Sequence, residues 1–218
     1  MISWSYSSLK QFKTCPKQYY EIRVAKNFKS QDNADSLYGK EVHKALEEYV
    51  KDKKPLPKNY EHFRKMVDPL LDIQGTKYCE YEMALDADLN PCDFKAENYW
   101  VRGIADLLIV DGDTAFIVDY KTGKPTYADP NQLKLMALMV FAKFPEVQRI
   151  KSGLMFISYN SFFPEEYTRA ASSELWESFR NDLNRLSVAY DNSIWPASPT
   201  GLCKRYCPVS TCKYYGGL

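Results

Sequence analysis

Two aspartates and a lysine frame a short turn in the middle of the chain. The segment reads Gly103-Ile104-Ala105-Asp106 on one side of Gly112-Asp113 and Asp119-Tyr120-Lys121-Thr122-Gly123 on the other. If Gly112-Asp113 closes a two-residue hairpin, Asp106 falls opposite Asp119, with their Cβ atoms about 5 Å apart. Strand alternation then puts Lys121 on the face of Asp119 and turns Tyr120 away. Neighbouring carboxylates in an apolar sheet need a cation, a shared proton or good solvation. A hard divalent ion takes oxygen ligands. A lysine beside it supports charge developing on a phosphate or positions a hydroxide. This chemistry would hydrolyse a phosphodiester. The same spacing also fits a surface hairpin carrying exposed ion pairs.

Other residues join this group by spacing. His43 and Glu47 are four apart on a candidate helix and so share its face. The histidine is either a further ligand or a surface side chain beside an acid. Glu80 and Glu82 share a face of a neighbouring strand, and either one completes a metal shell. Gln132 opens the helix after Lys121, within reach of a phosphate or a catalytic side chain. Six cysteines stand at 15, 79, 92, 203, 207 and 212. The start, Met1-Ile2-Ser3-Trp4-Ser5, lacks the basic-then-apolar layout of an export signal. Disulfides are therefore not expected, and metal or cluster ligation gains weight.

The elements that position these residues can be read from hydropathy and punctuation. The 218 residues, 45% apolar and 26% charged, suit one sizeable core and exclude a disordered chain. No apolar run approaches the ~18 residues of a membrane span. Ser5 or Ser7 caps a helix carrying Leu9 and Phe12, and Pro16 begins a second short one. Asp35 or Ser36 caps a helix over about 37–51, with Val42, Ala45, Leu46 and Tyr49 as its buried stripe. A further helix is allowed near 60–72. Segments 78–86, 99–110 and 114–121 read as strands, Asp129-Pro130 opens a helix, 153–159 is a strand, and Ser172 or Ser173 starts a helix reaching Tyr190. This order predicts a mixed α/β sheet flanked by helices.

Net charge is +1, which decides nothing about nucleic acid, but its distribution is uneven. Residues 1–30 carry six basic residues against Glu21, while 79–113 carry nine acids against Lys95 and Arg102. An acidic centre between basic ends suits a cation site within a polyanion-binding surface; from charge alone, chance segregation on solvated faces is the commoner cause.

Taken in order, the motifs resemble the RecB-type branch of the PD-(D/E)XK nucleases, which includes CRISPR-adaptation exonucleases and the nuclease domains of recombination helicase–nucleases. The resemblance rests on Ser5-x-Ser7-x-Leu9 with Cys15-Pro16-x-x-Tyr19, Gly39-x-x-x-His43-x-x-x-Glu47, Gly103-x-x-Asp106, Asp119-x-Lys121 and Gln132. It implies a restriction-endonuclease-like α/β fold. It implies Mg²⁺ or Mn²⁺ held by His43, Asp106, Asp119 and the carbonyl of Tyr120, with Lys121 assisting the attacking water and Gln132 as an accessory residue. The family pattern continues Gln-x-x-x-Tyr, where this chain has Met136. Many members carry a [4Fe–4S] cluster on one early and three late cysteines. Cys15 with Cys203, Cys207 and Cys212 fits that distribution, although the C-x3-C-x4-C spacing departs from the usual one. A zinc site on the same thiolates, or four reduced thiols, are the alternatives.

The expectation is a single nuclease domain over 1–218, with 1–30 and 195–218 forming a Cys-bound clasp. It would be a metal-dependent DNA exonuclease acting on single-stranded or frayed ends by two-metal-type hydrolysis. The competing expectation is a catalytically silent DNA-binding or adaptor module of a recombination or CRISPR-adaptation complex. DNA is the expected partner, no membrane is expected, and the cytoplasm of a prokaryotic or phage-infected cell is the expected location. Tyr19, Tyr20, Tyr206, Tyr214 and Tyr215, near the basic ends, are candidates for stacking on unpaired bases.

Overall fold

A computed structural model describes residues 2–30 and 32–217. Two compact units emerge, one formed by Asn33–Trp176 and the other by Ile2–Asp32 with Glu177–Leu218. Helix α3 (Ala34–Asp52) opens the first unit and is followed by α4 (Arg64–Leu71). Then come β1 (Thr76–Leu85), β2 (Pro91–Cys92), β3 (Val101–Asp111), β4 (Thr114–Lys121), α5 (Asn131–Lys143), β5 (Arg149–Phe156) and β6 (Ser161–Thr168). The second unit holds α1 (Tyr6–Thr14) and α2 (Pro16–Tyr19), and α6 (Ser172–Asn192) runs from the first unit into it.

The sheet order is β2-β1-β3-β4-β5-β6. Neighbours are antiparallel except β4 and β5, which run parallel. Parallel neighbours need a long crossover, and α5 supplies it. The class is therefore α/β with a mixed central sheet and helical flanks. Strands β2 and β6 were not anticipated. The first is two residues long, and the second, Ser-Phe-Phe-Pro-Glu-Glu-Tyr-Thr, lacks apolar alternation. Phe162 lies where a side chain on Gly153 of β5 would be, which closes the sheet over that glycine.

Helix α3 begins earlier than its apolar stripe suggests. Asn33, not Asp35 or Ser36, is the N-cap, and its side chain accepts from the Ser36 amide while Ser36 Oγ accepts from the Asn33 amide. Val42, Leu46 and Val50 pack in one cluster with Leu107, Ile109, Val118 and Tyr120 of the sheet. Helix α5 starts at Asn131, two residues beyond the expected Asp129 cap, and residues Leu135 to Phe141 are all buried. A helix apolar all round is covered on several sides, and α5 packs on β1, β3, β4 and β5.

In the second unit Ser5 caps α1 as expected. Trp195 stacks against Tyr19 and Tyr20, with Phe12 and Tyr190 edge-on. Tyr19 is thus a core residue, 3% exposed, and is not open to base stacking; Tyr206 and Tyr215 are more than half exposed. No helix among the described residues is long and apolar enough to cross a membrane.

Candidate active site

The turn at Gly112-Asp113 pairs Asp111 with Thr114 and carries the expected register as far as Leu107 with Val118. The next pair, Asp106 with Asp119, is not formed. On the other edge of β3 the ladder to β1 also misses one step: Cys79 pairs with Leu107 and Tyr81 with Ala105, but Glu80 does not pair with Asp106. Glu80 has a left-handed backbone, with φ of 48°. That conformation is uncommon for a residue with a side chain and marks local strain.

The break changes which way Asp106 points. A side chain at Gly103 would meet Met136 and Met139 of α5. Leu107, four residues on and due the same face, packs instead with the α3 cluster. The alternation of β3 therefore slips once between them, and a one-residue slip turns side chains to the opposite face. Asp106 is drawn to the α3 side, where its Oδ1 lies 3.4 Å from His43 Nδ1. Its Oδ2 accepts the Tyr120 amide at 2.7 Å, across the gap the missing pair leaves. The expectation of two carboxylates side by side on one face is corrected accordingly.

Asp119 is held from the other side. Its Oδ1 accepts from Gln132 Nε2 of α5 at 2.6 Å, and its Oδ2 forms an ion pair with the Lys121 ammonium. Lys121 also donates to Gln132 Oε1 at 2.9 Å. Gln132 thus links acid and base in a closed triangle. Met136, in the place of the family's tyrosine, is buried against Gly103 and takes no part in this triangle.

Among the described residues, one group of acids, histidines or cysteines can surround a metal ion. His43, Glu80 and Asp106 each offer one ligand atom, all within 4.8 Å of one another. This side-chain group does not include Asp119, and Glu80 is the member of the Glu80/Glu82 choice that enters it. The strained backbone of Glu80 is what distinguishes the two, and no property of the sequence signals it. Burial, followed by the Asp106 charge, pushes the Glu80 carboxyl up to about 7. Burial and Asp106 likewise raise Asp119, against the pull of Lys121. For His43 burial opposes the charged form, but Asp106, Asp119 and Glu80 outweigh it and its pKa rises. Unpaired negative charge in one half-buried place is what a divalent cation relieves.

The cysteines gather in the second unit. Cys15, Cys203, Cys207 and Cys212 line one cavity of about 20 Å³ with Val209 and Tyr214, and none is in a disulfide. Cys15 Sγ accepts backbone amides from Gln18 at 3.5 Å and Ser198 at 3.4 Å, and Cys203 Sγ accepts the Thr200 amide at 3.5 Å. Cys79 and Cys92 lie on strands of the other unit, and burial raises both thiols.

The sequence profile of the PD-(D/E)XK nuclease superfamily matches residues 3–78 and 72–212. The chain belongs to that superfamily. Its fold is similar to that of a protein from Eubacterium rectale named as a candidate exonuclease, whose crystal structure superposes with a TM-score of 0.53 at 13% identity, over 89% of this chain and 84% of that one. No curated protein matches the chain in sequence.

Proposed function

We propose that the chain is a Mg²⁺- or Mn²⁺-dependent deoxyribonuclease, an exonuclease acting on single-stranded or frayed DNA ends. The observation that carries this reading is the meeting of two clusters at one break in the sheet: His43, Glu80 and Asp106 on the α3 side, Asp119, Lys121 and Gln132 on the α5 side. The first has the hard oxygen and imidazole donors a divalent ion takes, and an excess of negative charge. His43, Glu80 and Asp106 hold the ion, with Asp119, whose charge couples to His43 and Asp106, and the Tyr120 carbonyl as further ligands. When bound, the ion supplies Lewis acidity toward the phosphate and lowers the pKa of water.

The chain's own residues do the rest. An ammonium has three donors. Lys121 commits one to Asp119 and one to Gln132, leaving the third for the attacking water or the non-bridging phosphate oxygen. Gln132 sets the angle of that third donor by holding both partners. Water attacks phosphorus, the P–O3′ bond breaks, and the products are 5′-phosphate and 3′-hydroxyl ends. Lysines and arginine at 10–29, with Lys204, Arg205 and Lys213, hold the DNA backbone, so binding weakens with salt.

The four cysteines of the second unit carry a structural [4Fe–4S] cluster on this reading. Four cysteines are the number a cubane takes, the four line one cavity, and backbone amides donate to the sulfurs of Cys15 and Cys203.

The test is cleavage of end-labelled single-stranded and duplex DNA by anaerobically purified protein, with Mn²⁺ or EDTA. Metal-dependent release of nucleotides, lost in Lys121→Ala, is the expected result. Absence of cleavage with both substrates overturns the reading in favour of a silent DNA-binding module. Iron, sulfide and zinc analysis of the same sample decides the cysteine site.

A further inference from the structure

Beside the metal-binding group lies an open groove of about 500 Å³, lined by Ser36, Gly39, Lys40, His43, Lys44 and Glu47 of α3 and by Glu80 of β1. Its lining includes His43 and Glu80, which the active site already uses. Along its wall stand two lysines that the catalytic scheme does not use. We propose that this groove is the path of the DNA strand, and that Lys40 and Lys44 hold the phosphates next to the one being cut. The inference deepens the nuclease reading and rests on it.

Helical spacing and charge carry the argument. Residues four apart lie on one ridge, about 6 Å apart along the axis. Lys40 and Lys44 therefore stand on one ridge of α3, one turn apart, where both can reach the backbone of a strand in the groove. Both are exposed. Lys44 makes no ion pair with any described residue, so its charge is open to a ligand. The groove is also lined by two acids, Glu47 and Glu80, and Asp106 lies close to Glu80. Acids repel a polyanion, and a bound ion cancels only part of that charge. A strand entering here needs cations on the wall, and the two lysines are the cations that line it. Gly39, between Ser36 and Lys40, keeps the wall low; even a methyl there would come within 3.3 Å of Thr122 Oγ1, just past Lys121. Lysine as a flexible point charge suits sequence-independent backbone contacts.

The experiment measures binding of a fluorescent single-stranded oligodeoxynucleotide by anisotropy in EDTA, across a salt series, for wild type, Lys40→Ala/Lys44→Ala and a charge-matched control, Lys58→Ala/Lys65→Ala. The control lysines are exposed and do not line the groove. Loss of two contacts to a single strand lowers the slope of log affinity against log salt by about 1.4. The expected result is that change, with affinity at low salt down about tenfold or more, in the groove variant alone. With Mn²⁺ the same variant raises KM and leaves kcat near wild type. Equal affinity and slope in wild type and groove variant, or equal losses in groove and control variants, overturn the proposal. Binding is read without turnover. An inactive wild type with a groove-dependent affinity would therefore defeat the nuclease reading alone, and an active enzyme indifferent to Lys40 and Lys44 would defeat the groove alone.

Discussion

The two aspartates at the break in the sheet have opposite environments. Asp119 is 6% exposed and has a partner on each oxygen, Lys121 on one and Gln132 on the other, although burial and Asp106 still raise its pKa. Asp106 faces a histidine and a second acid, and it accepts a hydrogen bond from the Tyr120 backbone amide. The α5 side is a self-sufficient triangle, whereas the α3 side is a cluster with surplus negative charge. On the proposed reading, one sheet separates ion holding from proton and water handling. The groups that must stay charged to bind an ion face the layer with no fixed cation in the cluster, and the lysine sits across the strand.

The largest expected effect comes from removing the centre of the ion-holding side. Asp106→Asn keeps an oxygen for the Tyr120 amide but loses the charge. Cleavage should fall about 10³-fold or more, and Mn²⁺ affinity by at least about 100-fold, measured by metal titration on the same preparation. Lys121→Ala breaks the other side. It should lower kcat by about 10²–10³-fold while Mn²⁺ affinity stays near wild type. A Lys121 variant that lost metal as completely as Asp106→Asn would mean that the two sides are one unit.

Glu80 sharpens the contrast through pH. Its folded-state pKa of about 7 lies above the ordinary 4.5. The folded, metal-free protein therefore holds a proton that the unfolded chain releases, and its stability falls as pH rises from about 4.5 to 7. Saturating Mn²⁺ displaces that proton, so metal affinity should drop about tenfold per pH unit below 7. Thermal melts with and without Mn²⁺ across this window check both signs. Glu80→Gln should cost about 10–100-fold in metal affinity at pH 8 and flatten the pH dependence.

Gln132→Ala should reduce kcat by about tenfold with unchanged metal affinity, because Lys121 and Asp119 each lose the partner that orients them. The smallest effect is expected from Gly39→Ala. The added methyl meets Thr122 Oγ1 at 3.3 Å and displaces α3 slightly from the strand end that carries Lys121. Activity should decline a few-fold, and a Thr122→Ala change in the same chain should restore it.

Much of this architecture can be read from one chain. The Gly112-Asp113 turn fixes the β3–β4 register because a two-residue hairpin permits little else, and the pairs from Asp111 with Thr114 to Leu107 with Val118 follow it. The stripe of Val42, Ala45, Leu46 and Tyr49 fixes which face of α3 is buried, whereas the meeting of His43, at the edge of that face, with Asp106 is seen only in the structure. The family resemblance groups Cys15 with the distant Cys203, Cys207 and Cys212, and the four line one cavity.

What escaped was decided by packing. Periodicity assumes unbroken alternation, and β3 slips once between Gly103 and Leu107, where Met136 fills the space over the glycine and Glu80 leaves its ladder. Local propensity gives no reason for a glutamate to adopt a left-handed backbone; only surrounding structure can impose that strain. The choice of Glu80 over Glu82, and the parting of Asp106 from Asp119, therefore belong to contacts between distant segments. Residue types and spacing name the chemistry, but which oxygen faces which nitrogen depends on where two helices press against the sheet.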